Sequence, residues 1–285
     1  MKLDTSVVHP LRIPHSQSGE LLRFTRQEVG WEWMSFVVHH LVPEGTLSLQ
    51  TQGEEMVLVF LSGQCAGDWG EGKLPIGGRK TVFDGLPYAL YLPLGNSVTL
   101  KAETVCEIAE CRVPSTASLL PRLIRPQDIA SNLRGGENAS RQIVDVLPPD
   151  FPADKLVVVE VYTPGGNWSS YPPHKHEVHN PPVEADLDEI YYYRMKGPHA
   201  FAFQNLYSSD RTRSSVLKVH DGDAVLVRDG YHPVVAGPGY DVYYLNFLAG
   251  TSRSMMVTED PEHVWLRSSW KQTDGRLPLV RSDGS

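Results

Sequence analysis

Apolar positions along this chain come in short runs whose residues alternate with polar ones or are rich in Val, Tyr, Phe and Thr. In the first half they read MVLVFLSG (56–63), YALYLP (88–93), SVTLKAE (97–103) and CEIAEC (106–111). In the second half they read LVVVEVYTP (156–164), EIYYYRM (189–195), HAFAFQNLY (199–207), DAVLVRDG (223–230) and YDVYYLNFLAG (240–250). Gly, Pro, Asp or Asn closes nearly every run, and the 24 Gly and 22 Pro punctuate the whole chain. Short β-favouring runs at regular spacing predict an all-β sandwich or barrel. Few helices are expected; the best short one lies within SLLPRLIRPQDIASNLRG (118–135).

That segment also marks a joint. Residues from about 20 to 115 and from about 140 to 250 show the same order of strand-like runs. Each half carries a Gly turn before its final strand pair, LPLGNSVTL in one and LVRDGYHPVV in the other. The repeat lies in the architecture, since the halves share little residue identity. Two tandem β-barrels follow, an N-terminal one over residues 1–125 and a C-terminal one over 126–285.

Composition narrows the class. Hydrophobic residues at 41% and charged residues at 21% suit a soluble protein with a sizeable core. A formal net charge of −8, with no basic cluster to offset it, argues against nucleic acid and against an anionic membrane surface. The opening MKLDTSVVHPLRIPHS has no apolar stretch of signal-peptide length, and no run long enough to span a bilayer follows. Cys65, Cys106 and Cys111 are odd in number and lack CxxC spacing, as expected of reduced core thiols in a cytoplasmic protein.

The chemistry concentrates in YPPHKHEVHN (171–180), which holds His174, His176 and His179. On a strand, side chains alternate between faces, so His174 and His176 share one face and Lys175 takes the other. Glu189 at the start of EIYYYRM and His232 behind a Gly turn supply a carboxylate and a third imidazole, enough for a metal with open positions left for substrate. The plain alternative for the His pair is a solvent-facing strand. His179, beside Pro181 and Pro182, reads as a loop residue, and Glu177 is a rival carboxylate that a strand would turn to the opposite face.

The order HxH, then Glu, then a distant Gly-x-His resembles the two motifs of the cupin superfamily, which holds a divalent metal through three His and one Glu inside a double-stranded β-helix. The matching positions are His174, His176, Glu189 and His232. Twelve residues separate HxH from Glu189, more than cupins usually have, so the insert EVHNPPVEADLD is expected as a loop over the barrel mouth. In the first half the PLGNSV turn puts Val98 where the metal-binding His falls, which implies a metal-free barrel.

Longer phrases resemble one family more closely: GWEWMSF, VFDGLPYALYLP, VVVEVYTPGGNWSSYPPHKHE, DEIYYYR, FAFQNLY, HDGDAVLVRDGYHPVVAGPGYDVYYLN and DPEHVW. These are similar to the 5-deoxy-glucuronate isomerase family of myo-inositol catabolism. The resemblance implies a metal-dependent aldose–ketose isomerase converting 5-deoxy-D-glucuronate to 5-dehydro-2-deoxy-D-gluconate, a proton shift through a cis-enediolate stabilised by one divalent ion (Zn, Mn, Fe, Co or Ni). Tyr191, Gln204 and His263 stand as acid–base or hydroxyl-binding groups, and Arg253 and Arg267 as partners of the substrate carboxylate. The expected partners are a small sugar acid and further copies of the chain. A cupin dioxygenase using the same ligands, or a non-enzymatic sugar-binding bicupin, are the competing readings.

Overall fold

Alternation in the sequence becomes alternation of burial once the runs pair. In the computed structural model, which describes residues 5–70 and 72–282, Ser97–Ala102 exposes and buries successive residues, as a strand with one face on a core must. Val157–Thr163 and Val242–Gly250 are buried at every position, matching their continuous apolar runs. Among the described residues the only helical pieces are the 3-10 turns Pro126–Asp128, Glu137–Ala139 and Val264–Ser269. The short helix expected within 118–135 is reduced to the single 3-10 turn Pro126–Asp128. Arg122–Ile124 and Ala130–Arg134 are strands there, because Pro121 and Pro126 each deny a helix its backbone donor.

The chain forms two compact units. One draws on Pro10–Ile129, Asp150–Leu156 and Val280–Ser285, the other on Met1–His9, Ala130–Pro149 and Val157–Leu279. This differs from a single cut after residue 125, since the chain crosses between units several times. Thr5–Val8 pairs antiparallel with Ala224–Val227 of the second unit; four residues are enough for the ladder but give no hint of their partner in sequence.

In the first unit a six-stranded sheet runs Arg122–Ile124, Ala89–Leu92, Glu54–Ser62, Cys106–Pro114, Ser35–Leu41, Gly19–Phe24, beside a four-stranded sheet of Thr46–Gln50, Ser97–Ala102, Gln64–Asp68 and Leu74–Gly77. Its interior is hydrocarbon: Met56, Leu58, Phe60, Leu90, Val98 and Leu100 are among the buried residues of one cluster. Each such side chain contributes roughly 1.5–3 kcal/mol by leaving water. Val98 therefore occupies packing space, and Cys65 and Cys106 are free thiols of the same core.

The second unit has an eight-stranded sheet. Its path runs Thr5–Val8, Ala224–Val227, Glu184–Met195, Val242–Gly250, Val157–Thr163, Arg141–Leu147, Ala130–Arg134, with Glu177–Asn180 paired to Glu184–Met195. A four-stranded sheet of Trp168–Ser169, Val234–Ala236, Ala202–Tyr207 and Ser214–Val219 faces it across a core that includes Val161, Tyr193, Leu206, Val225 and Tyr244. The insert after His176 is not an open loop. It is a β-hairpin, with Glu177 opposite Asp186 and Asn180 opposite Glu184, so Glu189 lies inside a twelve-residue strand rather than at its start.

Candidate functional site

The site is built by three local devices. His174–Lys175 forms a short bridge to Thr258–Glu259, and alternation sends Lys175 away, where its Nζ lies 2.9 Å from Glu184 and 3.0 Å from Glu177. Glu189 pairs across from Val227 and Leu248 in the middle of the sheet, a rigid position. His232 follows Gly230, whose φ of 79° lies in the left-handed region that glycine adopts without penalty.

These devices converge imidazoles on a carboxylate. The ligating atoms of His176, Glu189 and His232 all lie within 4.8 Å of one another, and all three residues are buried. His174 stands beside them, its ring centroid 4.9 Å from that of His232 and 6.5 Å from that of His176, and its imidazole makes no hydrogen bond among the described residues. His176 Nδ1 lies 2.9 Å from the Leu187 carbonyl oxygen, and His232 Nδ1 lies 2.9 Å from that of Gly230. A carbonyl only accepts, so both Nδ1 atoms carry hydrogen and both Nε2 atoms are turned inward.

Those inward nitrogens meet Glu189 Oε2, at 2.9 Å from His176 and 3.2 Å from His232. The His232 approach is close but not aligned as a hydrogen bond, and its Nε2 is a buried polar atom without a hydrogen-bond partner. Lone pairs aimed at a carboxylate require a cation or extra protons between them. Burial works to raise the Glu189 pKa, but His176 and His232 outweigh it and hold the carboxyl down to about 2. Burial works to lower the His176 pKa, and Glu189 raises it above the ordinary value. His174 is pulled down to about 3 by burial and by the neighbouring His232. An oxygen–nitrogen set of this kind, with second partners fixing the imidazoles, fits a divalent transition metal.

The site opens into a cavity of about 650 Å³. His174, Glu189, Tyr191, Ser170, Tyr244 and Arg141 are among its lining residues, with Val159 and Val161 as apolar wall. Ser170 Oγ lies 3.0 Å from the Tyr191 hydroxyl and 3.3 Å from that of Tyr244, a row of three hydroxyls along the wall. Burial, and then the charge of Glu189, push the Tyr191 pKa far up, so it keeps its proton.

A model of the KduI/IolB family matches residues 11–266. The chain belongs to the KduI/IolB family. It is 41% identical over 256 residues to the 5-deoxy-glucuronate isomerase of Geobacillus thermodenitrificans, covering 89% of this chain and 93% of the relative. The enzyme of the same name from Geobacillus kaustophilus is 40% identical over 260 residues, with the same coverage. Identity at that level across both lengths makes the chain an isomerase. Among solved structures, an IolB-like protein from Salmonella typhimurium superimposes with a TM-score of 0.87 at 34% identity, covering 91% of this chain and 98% of that one. A Bacillus subtilis oxalate decarboxylase mutant gives 0.59 at 13% identity, covering 88% of this chain and 80% of that one, a likeness of fold alone. The architecture is thus the tandem cupin one.

In this KduI/IolB chain the other residues singled out by sequence fall in different places. Tyr191 lies on the cavity, its ring 5.8 Å from that of His232. Gln204 lies behind His232: its Oε1 accepts from Tyr193 at 2.9 Å and its Nε2 donates to the His232 carbonyl at 3.4 Å. His263 lines a second cleft of about 460 Å³ with Trp168, Tyr171, Tyr207 and Arg211. Arg267 lines the main cavity but is paired with Glu259. Arg253 donates to the carbonyls of Pro148 and Pro149. Glu177 is held by Lys175 and by the Gly230 N–H at 2.8 Å, and exposed His179 meets Thr251. Sequence reasoning missed Ser170, Tyr244 and Arg141. Ser170 stands two residues ahead of the Pro-Pro pair within the family phrase GGNWSSYPPHKH, which is the signal that pointed to it.

Proposed function

We propose that the chain is a metal-dependent aldose–ketose isomerase that converts 5-deoxy-D-glucuronate to 5-dehydro-2-deoxy-D-gluconate in inositol catabolism. The observation that carries this reading is the convergence of His176, Glu189 and His232, with His174 alongside, next to a cavity that Glu189 and His174 line and that is large enough for a six-carbon acid. The names borne by relatives 40% identical support the substrate. His174, His176, Glu189 and His232 would hold the ion, which when bound supplies Lewis-acid polarisation of substrate oxygens.

The protein's own part is positional and protic. The carbonyls of Leu187 and Gly230 lock His176 and His232 in one tautomer and orientation before any ligand arrives. Glu189, embedded in the central sheet, keeps the negative charge in place. Tyr191, still protonated at neutral pH, presents an O–H from the wall and donates to a substrate oxygen rather than acting as a base. Ser170 and Tyr244 extend that donor into a hydroxyl row along which a proton can move. Val159 and Val161 line the same space and keep part of it dry.

The test is direct. Purified protein is incubated with 5-deoxy-D-glucuronate, with and without a chelator, and ketose is followed by NMR. Ketose formed only in the chelator-free sample is the expected result. Absence of ketose in both would defeat the reading, and oxygen uptake in its place would favour dioxygenase chemistry.

A further inference from the structure

Arg141 is the buried cation of the main cavity, and the fold leaves it without a counter-ion, whereas Arg134, which lines the same space, is exposed to water. It begins the strand Arg141–Leu147 and is only 9% exposed, yet it lines the same space as His174 and Glu189. One arm is spoken for: Nη1 donates to the Ala139 carbonyl at 3.1 Å and to the Tyr171 carbonyl at 2.7 Å. Nε is buried with no partner, and Nη2 makes no hydrogen bond among the described residues. No carboxylate of the described residues lies within ion-pair distance of it.

That contrasts with its neighbours. Arg267 is neutralised by Glu259, and the guanidinium of Arg253 is turned to backbone carbonyls. A buried guanidinium without an anion is costly, so proteins seldom keep one unpaired. Burial draws the Arg141 pKa down to about 10, and the group remains a cation at neutral pH. The backbone makes room for it: a side chain at Gly135, whose φ is 80°, would start 2.8 Å from Nη1 and 2.0 Å from the Ala139 oxygen. With Nη1 held at the back, the free Nε–Nη2 edge offers two parallel donors, the pattern that matches both oxygens of a carboxylate.

We propose that Arg141 receives the carboxylate of the sugar-acid substrate on its Nε–Nη2 edge, fixing the molecule with its carbonyl end toward the histidines. This rests on the reading of the chain as a sugar-acid isomerase. The acid and aldehyde of such a substrate sit at opposite ends of one carbon chain, so one cavity with Arg141 and His174 among its walls orients both.

The experiment compares 5-deoxy-D-glucuronate with 5-deoxy-D-glucose, in which a primary alcohol replaces the acid, for the full-length enzyme and its R141M, R141K and R267M variants. Thermal melts identify which variants fold, and R141K carries the comparison if R141M does not. The expected result is a roughly 10- to 100-fold loss of kcat/KM on the acid in R141M. Turnover of the alcohol should stay close to wild type, recovery in R141K should be partial, and R267M should keep the preference for acid. Equal losses on both sugars in R141M would overturn the proposal.

Calorimetric binding of D-gluconate, an acid with no aldehyde to isomerise, separates the two readings. If wild type turns over neither sugar but binds gluconate, and R141M does not, the isomerase reading falls and Arg141 stands as a carboxylate receptor. Gluconate binding unaffected by R141M overturns the proposal. So does wild type that neither binds gluconate nor prefers acid to alcohol.

Discussion

Lys175 Nζ lies 2.9 Å from Glu184 Oε1, so the residue between the two site histidines is fastened to the hairpin that follows them. Glu184 also accepts the backbone N–H groups of Glu177 and Val178, at 2.8 and 3.1 Å, which makes one carboxylate the anchor of the whole turn. Both side chains are largely buried. Removing one partner of such a pair strands the other's charge. K175M should therefore cost roughly 3 kcal/mol of stability. E184Q should act in the same direction, and the double variant should lose less than the sum. Urea unfolding of the three variants checks this, and strict additivity would show that the pair is not coupled.

The histidine–carboxylate cluster predicts metal content as well as activity. Elemental analysis of protein purified without chelator should find one divalent ion per chain, lost in H176A and H232A. In E189Q the carboxylate charge goes while the shape stays, so the fold should survive and metal affinity should fall roughly 10- to 100-fold or more. Turnover should vanish with the metal and return when it is added back. Full activity in metal-free protein would rule out the ion as a working part.

Much of this was legible in the chain, and the misses share a cause. Strands such as Val157–Thr163 and Val242–Gly250 announce themselves because β-branched and aromatic residues crowd short runs. The pairing of His174 with His176 on one face follows from period-two geometry alone. By contrast, EVHNPPVEAD has little apolar alternation, so its hairpin and the true start of the strand at Glu184 stayed hidden. The apparent helix around 118–135 was a weak apolar pattern overruled by two prolines. Arg141 could not be picked from the other arginines, since what sets it apart is burial without a counter-ion, and both are made by tertiary structure.

Asp260 predicts an acid limit to stability. Its side chain is fully buried, with Oδ1 accepting from Arg211 at 2.6 Å and Oδ2 from the Tyr207 hydroxyl at 2.7 Å. Its own N–H donates to the Pro173 carbonyl, next to His174. Burial works to raise the Asp260 pKa, and Arg211 and Tyr207 outweigh it, leaving the group below its ordinary value. With the folded pKa depressed, the unfolded chain binds the extra proton first. The stabilisation is complete above about pH 4 and drains away as pH falls through the folded value. D260N should cost roughly 1.5–3 kcal/mol at neutral pH. The gap between wild type and variant, measured by urea melts at several pH values, should narrow below about pH 4. A gap that stays constant with pH would show that the carboxylate's charge contributes nothing.

Tyr191 joins the histidine–carboxylate cluster to the hydroxyl row, and its role can be separated from both. The ring packs 5.8 Å from His232 and 4.9 Å from Tyr244, so Y191F keeps the packing and deletes only the hydroxyl. If the O–H donates to a substrate oxygen as charge develops there, kcat should fall roughly 100-fold. KM and metal content should hold, because the hydroxyl supplies little to ground-state binding. S170A should give a smaller loss, since the Ser170 hydroxyl supports those of Tyr191 and Tyr244 and leaves both in place when removed. Steady-state kinetics on the three proteins, with metal quantified in the same samples, decide it. A Y191F enzyme with wild-type kcat would reduce the tyrosine to cavity wall and move the proton-transfer assignment elsewhere along the lining.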